Sequence, residues 1–174
     1  MNKTIRSKKV FFISECLVNQ NIRAYGVGNM KGEGAVKEII DLLMSYGYGF
    51  TVVPCPEIGH EGLMRTACGK ERYDNPIYRQ LCSLSAEQVI KRYKLYLDDG
   101  YTIGGFICVN GSPSCGVDFC HRAGNRCNEQ GVFIEEFLKI AKKDGIEIRL
   151  IGFRAKELDT VLASLRSLCE NCTV

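Results

Sequence analysis

Ten of the 174 residues are cysteine, and three of these cysteines follow apolar runs of the chain. Cys16 and Cys55 each come two residues after such a run, and Cys115 comes six residues after a third, behind a Gly-Ser-Pro-Ser turn. If the runs are parallel strands, their carboxyl ends meet at one edge of an open sheet, where ligands bind in α/β folds. Because converging thiolates are the ligands of soft metal centres, the sequence predicts a metal site at this edge.

The number of thiolates indicates an iron–sulfur cluster with one open iron. A [4Fe-4S] cluster usually takes four cysteines, so a site with three leaves one iron open to water or substrate. The alternative is that some of these cysteines are small buried hydrophobic side chains, as free cysteines often are. That alternative is preferred for Cys108, which lies inside the third apolar run.

Polar side chains lie beside the predicted metal site. Glu57 follows Cys55 across a proline and can act as a general acid or base if its environment suits that role; an ordinary solvated glutamate is the alternative. Ser112 and Ser114 flank Pro113 just before Cys115, and their hydroxyls could bind or protonate a substrate atom. Ordinary turn chemistry favours the same residue types.

Apolar runs alternate with segments of helical periodicity along the chain. Ser85 is predicted to cap a helix, because Gln88 follows three residues later as in a capping box. The preceding segment, 59–85, is predicted to be irregular, with one short helix near 76–81. Strands are predicted at 10–14, 50–53, 105–109 and 146–151, helices at 35–44, 86–97, 132–143 and 156–168, and a frayed end at 169–174.

This alternation is typical of βαβ units. The sequence therefore predicts an α/β protein, a three-layer α/β/α Rossmann-like domain with a mostly parallel sheet of four or five strands. No linker or internal repeat interrupts the pattern, so residues 1–174 are expected to form a single domain.

Composition excludes several classes of protein. The net charge of +3, without a basic run interleaved with aromatic residues, does not favour a nucleic-acid partner. The apolar run after the basic start is too short for a signal peptide, and no stretch approaches the ~20 apolar residues of a membrane span. We therefore expect a cytoplasmic protein, a monomer or homodimer, whose cysteines bind metal or act in catalysis rather than forming a disulfide scaffold.

Three short motifs, in this order, resemble those of the 2-thiouracil desulfurase family (DUF523). The last is the most specific of the three, and together they span about two-thirds of the chain. They are Ser14-Glu15-Cys16-Leu17 with Arg23, Cys55-Pro56-Glu57 with Gly62-Leu63, and Gly111-Ser112-Pro113-Ser114-Cys115-Gly116.

The resemblance implies a [4Fe-4S] cluster on the three cysteines with one open iron. It implies a thiolated nucleobase of the 2-thiouracil type, or a similar small thio-compound, as substrate: its sulfur would bind the open iron and be replaced by oxygen from water. Glu57 would be the catalytic acid and Ser112 its assisting hydroxyl, with Ser114 and Arg23 contacting the substrate. Departures such as Asn19, which stands where glycine is usual, bear on the substrate more than on the cluster.

Other interpretations stay open on the sequence alone. Surplus cysteines are consistent with a non-enzymatic iron–sulfur or zinc-binding sulfur carrier. Cys120, His121 and Cys127 could form a separate zinc site, although their spacings are not those of common zinc motifs. Cys169 and Cys172 form a Cys-x2-Cys pair, which is a redox motif in principle. Cys68 and Cys82 receive no assignment.

Overall fold

The computed structural model of the chain describes residues 6–27 and 34–171. The elements are β1 (Lys9–Ser14), α1 (Glu15–Val18), a 3₁₀ turn (Gln20–Ile22), α2 (Lys37–Ser45), β2 (Gly49–Val53), α3 (Pro56–Glu61), α4 (Lys70–Tyr73), α5 (Pro76–Asp98), β3 (Thr102–Val109), β4 (Cys120–Arg122), β5 (Asn125–Cys127), α6 (Val132–Lys143), β6 (Leu150–Phe153), a second 3₁₀ turn (Ala155–Glu157) and α7 (Leu158–Asn171).

Four strands form one parallel sheet in the order β2-β1-β3-β6. Alternate side chains of the inner strand β1 enter different cores: Phe12 packs on one face of the sheet, and Phe11 and Ile13 pack on the other. Residues of α5 and α6 complete the first core, and residues of α2 and α7 complete the second. The predicted three-layer α/β/α class with a parallel sheet is therefore confirmed.

Close packing of β1 against β3 depends on a glycine. A Cβ built on Gly104 would lie 2.2 Å from the ring of Phe11, which is fully buried. The register between the two strands shifts between Val10 and Phe11. Because residue 104 has no side chain, the ring of Phe11 can pack against β3.

The predicted break before residue 86 is wrong, because α5 runs without interruption from Pro76 to Asp98. Its buried residues, Tyr78, Cys82, Ala86, Val89, Ile90 and Tyr93, keep helical spacing across the segment that was predicted to be irregular. The cap is Asn75, whose side chain accepts a hydrogen bond from the backbone nitrogen of Tyr78 at 3.0 Å. Two further short helices, α3 and α4, also lie in that segment.

Two predictions near the C-terminus are also wrong. The last strand of the sheet is Leu150–Phe153 rather than 146–151, because its pairing with β3 begins where Leu150 lies opposite Phe106. The C-terminal helix continues to Asn171, and Cys169 is fully buried in it instead of being frayed. Cys172 lies outside the described residues.

A small antiparallel hairpin of β4 and β5 follows the third sheet strand. Ala123 and Gly124 both have positive φ in its two-residue turn, as tight hairpins require. The buried ammonium group of Lys70 in α4 contacts Glu129, just after the hairpin, and Glu135 in α6. These ion pairs fix the hairpin against the body of the protein.

No helix in residues 6–27 or 34–171 combines the length and the apolar character that a bilayer crossing needs.

Candidate metal centre

A cavity of about 650 Å³ lies where β1, β2 and β3 end. Cys16, in α1 directly after β1, lines this cavity together with Cys55, which immediately precedes α3, and Cys115, in the turn after β3. All three are free thiols. Residues 39 and 60 positions apart in sequence therefore line the same cavity, because the connections that follow three parallel strands lie at one edge of the sheet.

The first two cysteine segments are tied together by Glu15. Its carboxylate accepts a hydrogen bond from the backbone nitrogen of Cys55 at 2.8 Å. That bond joins α1 to the start of α3, where the backbone N–H groups have no partner within the helix. The positions of Cys16 and Cys55 are therefore coupled through one carboxylate.

The turn that carries Cys115 is held from both sides. The Ser112 hydroxyl oxygen accepts hydrogen bonds from the backbone nitrogens of Ser114 and Cys115, at 3.2 and 3.0 Å. Behind the turn, Val132 N donates to Pro113 O at 2.9 Å, so the start of α6 packs directly on it. This approach leaves no room for a side chain at Gly131.

The environment of the thiols raises their pKa values. Burial, followed by the nearby Cys55, raises the pKa of Cys16 to about 12. Burial and then Glu57 raise the pKa of Cys55 to about 11, and burial and Cys55 raise that of Cys115 well above its usual range. Without metal these thiols are protonated at neutral pH, so a metal centre here must displace their protons on binding.

Glu57 lies beside the thiols with both carboxylate oxygens occupied. Oε1 accepts a hydrogen bond from the Ser112 hydroxyl at 3.2 Å, and Oε2 accepts one from Nε of Arg65 at 3.0 Å. Glu57 and Ser112 both line the cavity. The structure thus brings together the two residues for which the sequence predicts proton chemistry.

The two predicted substrate contacts have different surroundings. Arg23 lines the cavity. Ser114 is fully buried, and its hydroxyl lies 2.6 Å from that of Tyr78. Ser114 is not one of the described residues that line the cavity, so the structure does not place it at the cavity surface.

The sequence assigns no role to two residues of this site, Arg65 and Glu15, although Glu15 stands in the motif around Cys16. Arg65 lies eight positions after Glu57 in a segment without periodicity, and no motif marks it. The signal available in the sequence is the pair of opposite charges, Glu57 and Arg65, near the predicted carboxyl edge of the sheet. Such pairs are too common to indicate a site. Cys68 and His121, for which the sequence gives no definite role, also line the cavity.

The separate zinc site considered for the hairpin is not supported. Cys120 and Cys127 are directly opposite each other, whereas His121 is the next residue along β4 and points to the other face. Nδ1 of His121 lies 3.1 Å from the carbonyl oxygen of Gly111. Across residues 6–27 and 34–171, no three His, Cys, Asp or Glu side chains are arranged to hold a single metal ion.

Cys108 and Cys82 are fully buried in the core between the sheet and α5–α6. The expectation that Cys108 acts as a small hydrophobic side chain agrees with this position. Cys169 belongs to the core on the other face of the sheet.

Fold and cavity define a class: a three-layer α/β protein with a thiol-lined cavity at the carboxyl edge of a parallel sheet. The chain is 30% identical over 155 residues to uncharacterized protein MJ0003 of Methanocaldococcus jannaschii, covering 89% of this chain and 92% of that protein. It therefore belongs to the same family as MJ0003. No protein-family profile matches the chain.

Among solved structures, the chain is similar to the [4Fe-4S]-dependent thiouracil desulfidase TudS (DUF523Vcz). The identity is 16% and the TM-score 0.41, with 90% of this chain and 97% of that chain covered. At these values the likeness carries no argument about activity.

Proposed function

We propose that the chain is an iron–sulfur-dependent desulfurase that removes sulfur from a thiolated nucleobase of the 2-thiouracil type or a similar small thio-compound. The observation that supports the proposal is that Cys16, Cys55 and Cys115 line one cavity, which the hydrogen-bonded pair of Glu57 and Ser112 also lines. The motifs around these residues, which resemble those of the 2-thiouracil desulfurase family, support the same function.

The donor set fits a [4Fe-4S] cluster. The three proposed ligands are cysteine sulfurs, which suit iron–sulfur chemistry better than oxygen or nitrogen ligands would. A cluster contains several metal ions, so its cysteines need not converge on one point as the ligands of a single ion do. The cavity of about 650 Å³ leaves space for a small molecule beside a cluster.

The net reaction is hydrolytic. A carbon–sulfur double bond is replaced by a carbon–oxygen double bond, water supplies the oxygen, and its two protons leave with the sulfur as hydrogen sulfide. No electrons are gained or lost overall. When bound, the cluster would supply an iron without a protein ligand, which can hold and polarise a soft sulfur atom.

The proton transfers are assigned to Glu57, with Ser112 as its assisting hydroxyl. The Ser112 hydroxyl already accepts two backbone hydrogen bonds, so its own proton is directed to Oε1 of Glu57. The Glu57 carboxylate can take a proton from water directly and return it to the departing sulfur, while the Ser112 hydroxyl holds Oε1 in place. Removal of the carboxylate would break this route without removing a cysteine.

Arg23 is proposed to contact the substrate from the cavity wall, as the resemblance implies. Ser114 is proposed to support the Cys115 turn through its contact with Tyr78 rather than to touch substrate. The proposal also places the chain in the cytoplasm, where cysteines stay reduced, and treats residues 1–174 as one DUF523-like domain.

The test is sulfide release from 2-thiouracil by anaerobically prepared protein in ¹⁸O-labelled water. We expect labelled uracil and sulfide in equal amounts. A chain that binds iron and sulfide but releases no sulfide from 2-thiouracil or from a panel of small thio-compounds would instead be the non-enzymatic carrier that the surplus cysteines suggest.

A further inference from the structure

Arg65 is a charged residue whose side chain is only 3% exposed. Its Nε donates to Oε2 of Glu57 at 3.0 Å, its Nη1 donates to the carbonyl oxygen of Ile22 at 2.9 Å, and its Nη2 donates to the sulfur of Cys55 at 3.6 Å. Burial of a guanidinium group is unfavourable unless its donors find partners. Here one planar guanidinium group donates hydrogen bonds to a carboxylate, a carbonyl and a thiol at the same time.

These partners belong to different segments of the candidate site. Ile22 lies immediately before Arg23, whereas Cys55 and Glu57 flank Pro56 at the start of α3. The backbone of Arg65 adds a further link, because its carbonyl oxygen accepts a hydrogen bond from Tyr25 N at 3.0 Å. Arg65 therefore joins the segment after β1 to the segment after β2.

We propose that Arg65 is a positioning residue that orients Glu57 and, by its hydrogen bond to the sulfur of Cys55, sets the electronic properties of the metal centre. The inference rests on the function proposed above. Hydrogen bonds to ligating sulfurs and nearby positive charge draw electron density from an iron–sulfur cluster and raise its reduction potential. A lysine could keep the charge but not the fork geometry that reaches carboxylate and sulfur together.

The experiment compares wild type, Arg65→Gln and Arg65→Lys after anaerobic reconstitution with iron and sulfide. The readout is the reduction potential of the cluster, followed by electron paramagnetic resonance during a redox titration. We expect Arg65→Gln to bind as much iron per chain as wild type and to titrate at a more negative potential. Arg65→Lys should shift the potential in the same direction by less, because the positive charge is kept.

Arg72→Gln is the matched control. Arg72 is 54% exposed, pairs with Glu61 and is absent from the described cavity wall, so its removal should leave the potential unchanged. A second readout is the steady-state rate of sulfide release, which should show a lower kcat in Arg65→Gln because Glu57 is misoriented, and the wild-type kcat in Arg72→Gln.

A loaded Arg65→Gln protein with the wild-type potential would overturn the inference and leave the proposed function standing. If Arg65→Gln does not fold, Arg65→Lys is the variant that tests the inference. A wild-type reduction potential together with a wild-type kcat in Arg65→Lys would overturn the inference. Wild-type chain that binds no iron would refute the proposed function itself, and the inference with it.

Discussion

The hydroxyl oxygen of Ser112 lies 3.2 Å from Oε1 of Glu57 and 3.0 Å from the backbone nitrogen of Cys115. One hydroxyl group therefore connects the carboxylate that follows the second cysteine to the turn that carries the third. Because Glu57 lies in α3 after β2 and Ser112 lies in the turn after β3, the contact forms only when the sheet edge is assembled. The contact thus links the proposed proton-transfer residue to the turn that carries a proposed metal ligand.

Loss of the carboxylate should separate catalysis from cluster binding. In Glu57→Gln we expect sulfide release to fall by about 100-fold or more, since positioned acid–base groups contribute roughly 10²–10⁴-fold, while iron content stays at the wild-type level. Ser112→Ala should lower the rate less, because it removes a hydroxyl that orients the carboxylate but leaves the carboxylate itself. The measurement is kcat beside iron per chain.

Glu61→Gln is the control for this prediction, since Glu61 lies in the same helix but pairs with Arg72 and Tyr73. It should keep nearly full activity. Equal activity of Glu57→Gln and wild type would remove Glu57 from the mechanism.

A methyl group at residue 131 should disturb the Cys115 turn. A Cβ on Gly131 would lie 2.3 Å from the carbonyl carbon of Ser114 and 2.8 Å from Cys115 N, so the backbone must move. We expect Gly131→Ala to lower the free energy of unfolding by about 1–3 kcal/mol, as overpacking does, and to reduce iron binding. Denaturant unfolding and iron analysis measure both effects.

Gly34 offers a matched glycine, because a Cβ there has no atom within 4 Å. Gly34→Ala should change stability by less than about 0.5 kcal/mol. Two alanine variants of equal stability would contradict the packing described at Gly131.

The sequence predicts the sheet well where short runs are rich in β-branched and aromatic residues. The first three strands, β1, β2 and β3, appear close to their predicted positions because such residue types favour strands. The location of Cys16 and Cys55 follows from those strand ends. Arg65 could not be predicted, since its importance depends on contacts with Ile22 and Glu57 that only the folded chain creates.

The error at α5 has a local cause. Ser85 and Gln88 fit a capping box, but the buried residues Cys82 and Ala86 on either side of Ser85 continue one helical stripe. Tertiary burial of that stripe outweighs a local capping preference. Sequence alone does not show which of two compatible signals tertiary packing will favour.

Asn75, which caps α5, should contribute more to stability than Ser85 in the middle of the helix. Asn75→Ala should cost about 1 kcal/mol, because it removes the side chain that caps the helix through Tyr78 N. Ser85→Ala, in the middle of the helix, should stay within about 0.5 kcal/mol of wild type. Unfolding midpoints in urea compare the two, and a larger loss at Ser85 would favour a helix start there.

Lys70 should make stability depend on alkaline pH. Burial alone would lower the pKa of Lys70, but its hydrogen bonds with Glu135 and Glu129 outweigh burial and raise it above the ordinary value of 10.5. A raised pKa means that the folded state holds the proton more tightly, so the stabilisation is fully present below pH 10.5 and is lost as the pH rises through the folded value.

The measurement is the free energy of unfolding of wild type and Lys70→Met from neutral pH upward. We expect Lys70→Met to be less stable by about 1–3 kcal/mol at neutral pH, because Glu135 and Glu129 lose their buried partner. The difference should shrink above pH 10.5, the ordinary pKa of lysine. A difference independent of pH would show that Lys70 acts through packing alone.

The most direct test of the proposed centre is iron and acid-labile sulfide analysis of the anaerobically purified chain. Wild type should contain about four iron and four sulfide per chain, as one cubane cluster requires. Cys115→Ala should lose most of both, whereas Cys127→Ala, which alters a hairpin thiol outside the described cavity wall, should match wild type. Equal iron content in wild type and Cys115→Ala, or none in either after reconstitution, would contradict a cluster held by Cys16, Cys55 and Cys115.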